Sequence, residues 1–323
     1  MGKPVLLSGV KPTGALHVGN YLGAIKQFVD LQNDHQMYVM LADYHALNSV
    51  QNKEEMRQLI KELVAGYVAV GLDPNKVVIF KQSDIPEHTE LTWIFNTLTT
   101  MPYLMRAHAF KDAEAKNKDI SVGTFDYPML MASDILLYSP DVVPVGKDQK
   151  QHIEFARDTA TKFNNTYGET FKLPKEIIPE AVAVVPGIDG QKMSKSYNNV
   201  IPLFGSDEEI DKAVMSITTD STEKGAPLDP ETDITFKLHE HFSKEQLEEL
   251  RNRYIRGDIG YKESKEILAT NIKKVIAPMR EKYNKLLDNP GKIKKILERG
   301  AKRAHKVAHE KMKEVKNAIG VTL

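Results

Sequence analysis

Lys192 and Lys195 are three residues apart, with Met193 and Ser194 between them and Ser196 after them, and they are the best-placed pair in the chain for handling a polyphosphate. Lysine ammonium groups bind phosphate oxygens as mobile point charges, and neighbouring hydroxyls add hydrogen-bond donors. Gly187-Ile188-Asp189-Gly190 precedes them and makes the segment a turn-rich loop. A second stretch of the same character is Gly9-Val10-Lys11-Pro12-Thr13-Gly14-Ala15-Leu16-His17-Val18-Gly19-Asn20. His17 and Asn20 share one face at the start of a helix, whose unpaired N–H groups attract phosphate. Gly19 lets a flat ring or a phosphate approach the backbone.

These loops need a scaffold, and the apolar runs supply one. Val5-Leu6-Leu7, Met37 to Asp43, Val77-Val78-Ile79-Phe80, Val142 to Gly146 and Val182-Ala183-Val184-Val185 read as short buried strands. A helix is expected from Asn20 onward and another from about Lys53 to Val70, with Met56, Leu59, Ile60 and Leu63 inward. Alternating strand and helix give an α/β fold with a doubly wound parallel sheet. From Pro86 to about Ala115 the chain turns helical and carries Trp93, Phe95, Met101, Tyr103, Met105 and Phe110, a stripe suited to a core or to a subunit contact.

A helix opening at Pro128 would place Tyr127, Met131, Asp134 and Tyr138 on one face. An Asp within so apolar a helix needs a partner: a backbone N–H, an Arg, or a ligand. The strand that follows runs into Gly146-Lys147-Asp148-Gln149, and polar residues at the carboxyl end of a parallel strand favour a ligand. After about residue 203 the composition becomes helical and highly charged, with capping boxes expected at Ser206 to Glu209 and Ser243 to Gln246. Lys292 to Lys316 combines ten Lys/Arg and three Glu with an apolar stripe through Ile293, Ile296, Leu297, Ala304, Val307, Ala308, Val315 and Ile319. One face of that helix packs; the other is a solvated or RNA-contacting basic face.

Composition bounds the reading. A chain of 323 residues can hold two or three domains, and 44 basic residues against 44 acidic ones leave any basic surface local. Without cysteine, disulfides and thiolate zinc sites are excluded, and no cluster of protein ligands for a metal stands out. No signal peptide and no membrane-length apolar run are visible, so a cytoplasmic protein is expected.

Taken together, the two loops resemble the signatures of class I aminoacyl-tRNA synthetases: a His-x-Gly-Asn variant of the first motif and, letter for letter, the Lys-Met-Ser-Lys-Ser loop. The block from Tyr127 to His152 resembles tryptophanyl-tRNA synthetases of the bacterial type. The resemblance covers nearly the whole chain. It implies a Rossmann-like catalytic domain over 1–202 with a helical insertion at about 47–122 forming a homodimer interface. A helical anticodon-binding domain over 203–323 would follow, its last helix at about 292–319 packing back.

The implied reaction activates L-tryptophan with ATP to tryptophanyl-adenylate and pyrophosphate, then passes the aminoacyl group to tRNA(Trp). By the same resemblance, Lys192 and Lys195 stabilise pyrophosphate, helped by Ser194 and Ser196 within the loop that includes Met193. Lys11, Pro12 and Thr13 meet the triphosphate, His17 and Asn20 the phosphates or ribose, and Gly19 the adenine. Gly146, Lys147 and Asp148 lie on the ribose side, Val184 lies beside the base, and Mg²⁺ screens the triphosphate. Asp134 accepts the indole N–H, and a phenylalanine would leave it unpaired. Leu7, Gly9, Met131, Val143 and Val145 wall the ring, and Tyr127 and Gln149 hold the amino end; Trp93 is expected to be a packing residue. Leu7 stands where relatives often have an aromatic residue, Lys147 where many have Glu, and the run 186–191 looks one residue short.

Three readings compete. A tyrosyl-tRNA synthetase shares the fold and would use Asp134 for a phenol. A small-molecule adenylyltransferase shares the first motif but needs neither the helical domain nor the lysine loop. A non-catalytic RNA-binding paralogue usually lacks the two lysines.

Overall fold

β1 (Val5–Val10) is the central strand of a five-stranded parallel sheet, and its consecutive buried residues Leu6, Leu7 and Ser8 show that both faces are covered. The computed structural model describes residues 2–115, 119–144, 150–177, 185–223 and 225–323. β2 (Gln36–Leu41), β3 (Val78–Lys81), β4 (Val142–Pro144) and β5 (Lys175–Ile177) complete the order β3-β2-β1-β4-β5. Leu6 is in register with Met37 on one side and Val142 on the other. Strand order therefore reverses between β1 and β4, and the crevice beyond their carboxyl ends is where such sheets bind ligands. The strand expected at Val182 to Val185 falls almost wholly outside the described residues; β5 was not anticipated.

Beyond β1, α1 (Val18–Asn20) leads through a π-helical turn at Tyr21–Ile25 into α2 (Lys26–Leu31). After β2 comes the short α3 (Asp43–Ala46), then α4 (Lys53–Val70), bounded as expected. Asn52 caps α4 by accepting from the N–H groups of Glu54 and Glu55, and Gly71 ends it at φ 129°. Leu59 and Leu63 are buried on its inner face.

β3 lies inside the interval expected to be a helical insertion, yet it pairs with β2. The helices that follow are α5 (Glu87–Leu98), α6 (Met101–Leu104) and α7 (His108–Ala115). Their apolar stripe divides. Phe95 is fully buried, whereas Met101 and Met105 are exposed and Trp93 is 73% exposed, so Trp93 does not pack within its own chain. α8 (Val122–Leu136) starts at a Ser121 cap with Pro128 inside it, not at Pro128. α9 (Lys150–Tyr167) packs against α8.

The C-terminal helices are α10 (Asp207–Met215), α11 (Ile234–Phe242), α12 (Leu247–Arg256), α13 (Tyr261–Leu287) and α14 (Pro290–Ala318). Ser206 and Glu209 form the expected capping box. Ser243 does not; its hydroxyl is taken by His239 Nδ1 and the Asn271 amide. α14 packs back on β3, α4 and α5 with Ile293, Ile296, Leu297, Ala304, Ala308 and Val315 buried, as its stripe predicts. The contact is so close at Gly300 that a Cβ there would lie 1.8 Å from the Ile79 carbonyl oxygen.

Candidate active site

A cavity of about 1060 Å³ opens at the carboxyl ends of β1, β2 and β4. Its deep end is built around Asp134 on α8, which is 3% exposed. Gln82 Nε2 donates to Oδ1 at 2.8 Å, His88 Nδ1 lies 2.6 Å from the same oxygen, and His45 Nε2 lies 2.8 Å from Oδ2. A carboxylate only accepts, so both imidazole nitrogens carry hydrogens toward it. Burial pushes the Asp134 pKa up, but the hydrogen bonds and charges of His45 and His88 outweigh burial and hold it at about 2.

Each donor comes from a different loop or helix start. His45 sits on α3 after β2, Gln82 directly follows β3, and His88 is in the first turn of α5. Gln82 also accepts from the Tyr44 N–H at 3.1 Å, which fixes its amide orientation, and His88 Nε2 meets the Tyr138 hydroxyl at 2.9 Å. Oδ1 thus has two donors and Oδ2 one, leaving one lone pair of Oδ2 for a ligand. Nδ1 of His45 is buried with no hydrogen-bond partner among the described residues. Neither the backbone N–H nor the Arg that stood as alternatives to a ligand for Asp134 is its partner; these three side chains are, and an absent ligand N–H does not leave the carboxylate unpaired. None of the three donors was picked out from the sequence as a site residue. The signal was available: the rule that ligands gather after parallel strands applies to β2 and β3 as it does to β4.

Leu7, Gly9, Met131, Val143 and Tyr127 line the cavity with Asp134, and Lys11 and Asn20 line it too. The Tyr127 hydroxyl hydrogen-bonds to His152 Nε2, and Lys11 Nζ lies 5.6 Å from the Tyr127 ring centre. Burial lowers the pKa of Lys11. Val145, Gly146, Lys147, Asp148, Gln149 and Val184 lie outside the described residues.

His17 and Asn20 do share the start of α1, where they cap each other. The His17 N–H donates to Asn20 Oδ1 at 3.1 Å, and the Asn20 N–H donates to His17 Nδ1 at 3.3 Å. Burial first, and the Lys195 ammonium second, push the His17 pKa down to about 4, so the ring is neutral near pH 7.

The lysine loop lies against this turn. Lys195 Nζ donates to the Thr13 carbonyl at 2.8 Å, and Gly14, at φ 85°, leaves room for the Lys195 stem. The Gly19 N–H points at Met193 Sδ at 3.1 Å, and a Cβ at Gly19 would lie 3.0 Å from the Met193 Cβ. The clearance at Gly19, expected for adenine, is here filled by Met193, which is buried with Val18, Ile201 and Leu203. Asn199, 1% exposed, is the loop's strut: it accepts from the Ser194 N–H at 2.7 Å and donates to the Lys192 carbonyl and to Asp189. Ser194 caps a short turn over Lys195–Tyr197, and Lys192 and Ser196 are exposed.

A family model described as tRNA synthetases class I (W and Y) matches residues 2–277. The chain belongs to that family. Among curated class I synthetases, tryptophan–tRNA ligase of Fusobacterium nucleatum is 46% identical over 98% of this chain and 97% of its own length. Among solved structures, tryptophanyl-tRNA synthetase from Campylobacter jejuni complexed with ADP and tryptophan matches with TM-score 0.93 and 46% identity, covering 98% of this chain and 99% of that one. The Mycoplasma pneumoniae tryptophanyl-tRNA synthetase matches with TM-score 0.83 and 28% identity over 99% and 98%. Within this synthetase, a second cleft of about 530 Å³ beside Lys282, Lys292, Lys295 and Arg299 holds none of the predicted site residues.

Proposed function

We propose that this class I synthetase is a tryptophan–tRNA ligase: it activates L-tryptophan with ATP to tryptophanyl-adenylate and pyrophosphate, then transfers the aminoacyl group to tRNA(Trp). The observation that carries the site assignment is one cavity lined by Asp134 and His45 and also by Lys11 and Asn20. It has room for an indole at one end and a nucleotide at the other. The full-length likeness to a relative whose structure contains ADP and tryptophan supports the same pair of ligands.

The indole N–H would donate to the remaining lone pair of Asp134 Oδ2, between Leu7, Gly9, Met131 and Val143, with Tyr127 and Gln149 toward the amino end. The tryptophan carboxylate would then face the α-phosphate, which it attacks as pyrophosphate leaves. The substrate brings its own nucleophile, so the protein accelerates the step by positioning and by stabilising charge that builds on the phosphates. Lys192 and Lys195 carry that role, with Ser194 and Ser196 as donors and Lys11, Pro12 and Thr13 on the triphosphate. A neutral His17 contributes a hydrogen bond rather than a charge, and Asn20 stands beside it. Gly19 would meet the adenine only after Met193 withdraws. Gly146, Lys147, Asp148 and Val184 are assigned to the ribose and base sides.

Mg²⁺ would arrive on the phosphate oxygens of ATP with its own water, and it would supply charge neutralisation there. Exposed Trp93 on α5, Met101 on α6 and Met105 just after it support a homodimer contact. The helices from 203 onward, with their basic α14, support an anticodon-binding domain over 203–323 beside a catalytic domain over 1–202. No described helix is long and apolar enough to cross a membrane, and a cytoplasmic location follows from the proposed activity.

The test is amino-acid-dependent exchange of labelled pyrophosphate into ATP, run with tryptophan, tyrosine and phenylalanine and without tRNA. Exchange with tryptophan alone is expected. Exchange with tyrosine instead would overturn the reading of Asp134, and exchange with none would overturn the proposed activity.

A further inference from the structure

Glu87, the first residue of α5, is 6% exposed, although its carboxylate faces two half-exposed imidazoles. Its Oε1 lies 3.2 Å from His305 Nε2 and 3.4 Å from His309 Nδ1. Its Oε2 is buried with no hydrogen-bond partner. His305 and His309 are one turn apart on α14, with ring centres 5.4 Å apart and planes 15° from parallel. The three nearest ligand atoms lie within 4.8 Å of one another.

A helix N-terminus favours an acidic residue, which accounts for a carboxylate at the start of α5. It does not account for the second oxygen being buried without a donor, nor for two imidazoles converging on the first. The two contacts also lack hydrogen-bond geometry. Their lengths do match the spacing of ligands around one ion: bonds of about 2.1 Å at tetrahedral angles set neighbouring ligand atoms about 3.4 Å apart.

We propose that Glu87, His305 and His309 form a binding site for a divalent first-row transition metal ion of the zinc class, completed by water. Two imidazoles and a carboxylate are nitrogen-rich for Mg²⁺ or Ca²⁺, which take oxygen ligands, and suit Zn²⁺, Co²⁺ or Ni²⁺. The nearby carboxylate of Glu90 is already held by Lys316 at 2.7 Å, so it does not compete for the ion. The ion would clamp α14 to the first turn of α5. The next residue in that turn, His88, is bonded to Asp134. His305 and His309 have the one-turn spacing of a helical metal-ligand pair, but Glu87 joins them only when α14 packs back.

The experiment is isothermal titration of tag-free, chelator-dialysed protein with ZnCl₂, comparing wild type with His305→Gln/His309→Gln and Glu87→Gln. Wild type is expected to take one equivalent per chain and to melt at a higher temperature with zinc than in chelator. Affinity should fall by at least about 100-fold in the double variant, since even groups one step removed from a metal cost 10- to 100-fold. Co²⁺ should give wild type a visible absorption band that the double variant lacks. The imidazoles are about half exposed, 50% and 51%, so the double variant should fold as wild type does. Absence of stoichiometric uptake by wild type, or uptake unchanged in the double variant, overturns the site.

Discussion

Lys195 donates to the Thr13 carbonyl at 2.8 Å, and this bond joins the lysine loop to the turn after β1. Together with Met193 beneath Gly19, it makes the loop and the turn one packed unit. ATP bound at that turn must exchange Lys195's carbonyl partner for phosphate oxygens, a stronger, charge-assisted contact.

Lys192 has no such ground-state partner among the described residues, so its contribution should be confined to the reacting complex. Lys192→Ala should slow adenylate formation by about 10²- to 10³-fold, the usual loss when one charge-stabilising group is removed. Tryptophan affinity should stay within about twofold. Single-turnover kinetics and calorimetry separate the two, and equal losses in both would remove Lys192 from the chemical step.

Asp134→Ala should cost stability as well as binding. It strands three buried donors, from His45, Gln82 and His88, and breaking such a buried network costs about 3–5 kcal/mol. Urea denaturation without ligand is the measurement; unchanged stability with lost tryptophan binding would mean that the donors find other partners.

The low pKa of His17 has a pH signature. Its folded value of about 4 lies below the ordinary 6.5, so the fold favours the neutral ring. The stability this contributes is complete above about pH 6.5 and is lost as pH falls through that value toward 4. His17→Asn keeps a good N-cap without titrating, and its stability should fall less than wild type's between pH 7 and pH 5. Asp134, at about 2, adds nothing in that window. Parallel pH slopes in the two proteins would contradict the assignment.

Gly300→Ala should destabilise the docking of α14 by about 1–3 kcal/mol or more, because the new methyl meets the Ile79 backbone rather than a side chain that can move. Hydrogen exchange should show α14 losing protection ahead of β1 and β2. Uniform loss across the chain would indicate that the helix and sheet unfold together.

What the sequence disclosed, and what it hid, follows from the range of the interactions. α4 and the shared helix start of His17 and Asn20 rest on local spacing and lie where expected; Tyr127, Met131 and Asp134, spaced to share a face, line one cavity. The start of α8 was missed because proline at a first turn is common, whereas here Ser121 accepts from the Thr124 N–H and begins the helix earlier. Asp134's partners stand 46 to 89 positions away, beyond any periodicity. Ser243 looked like a cap, but His239 and Asn271 compete for its hydroxyl, a contest only the tertiary fold sets up. Trp93 shows the converse: an apolar residue on an amphipathic helix need not face its own chain's core.

The lodging of Gly300 against Ile79 also bears on how the protein comes into being. β3 is an edge strand early in the chain, while α14, which shields it, comes far later, so a growing polypeptide leaves the ribosome with that edge uncovered until α14 has been made. An uncovered edge can recruit a strand from another nascent chain. Native closure here is a long-range event, and the yield of folded protein should depend on whether α14 reaches that edge before a strand of another chain does.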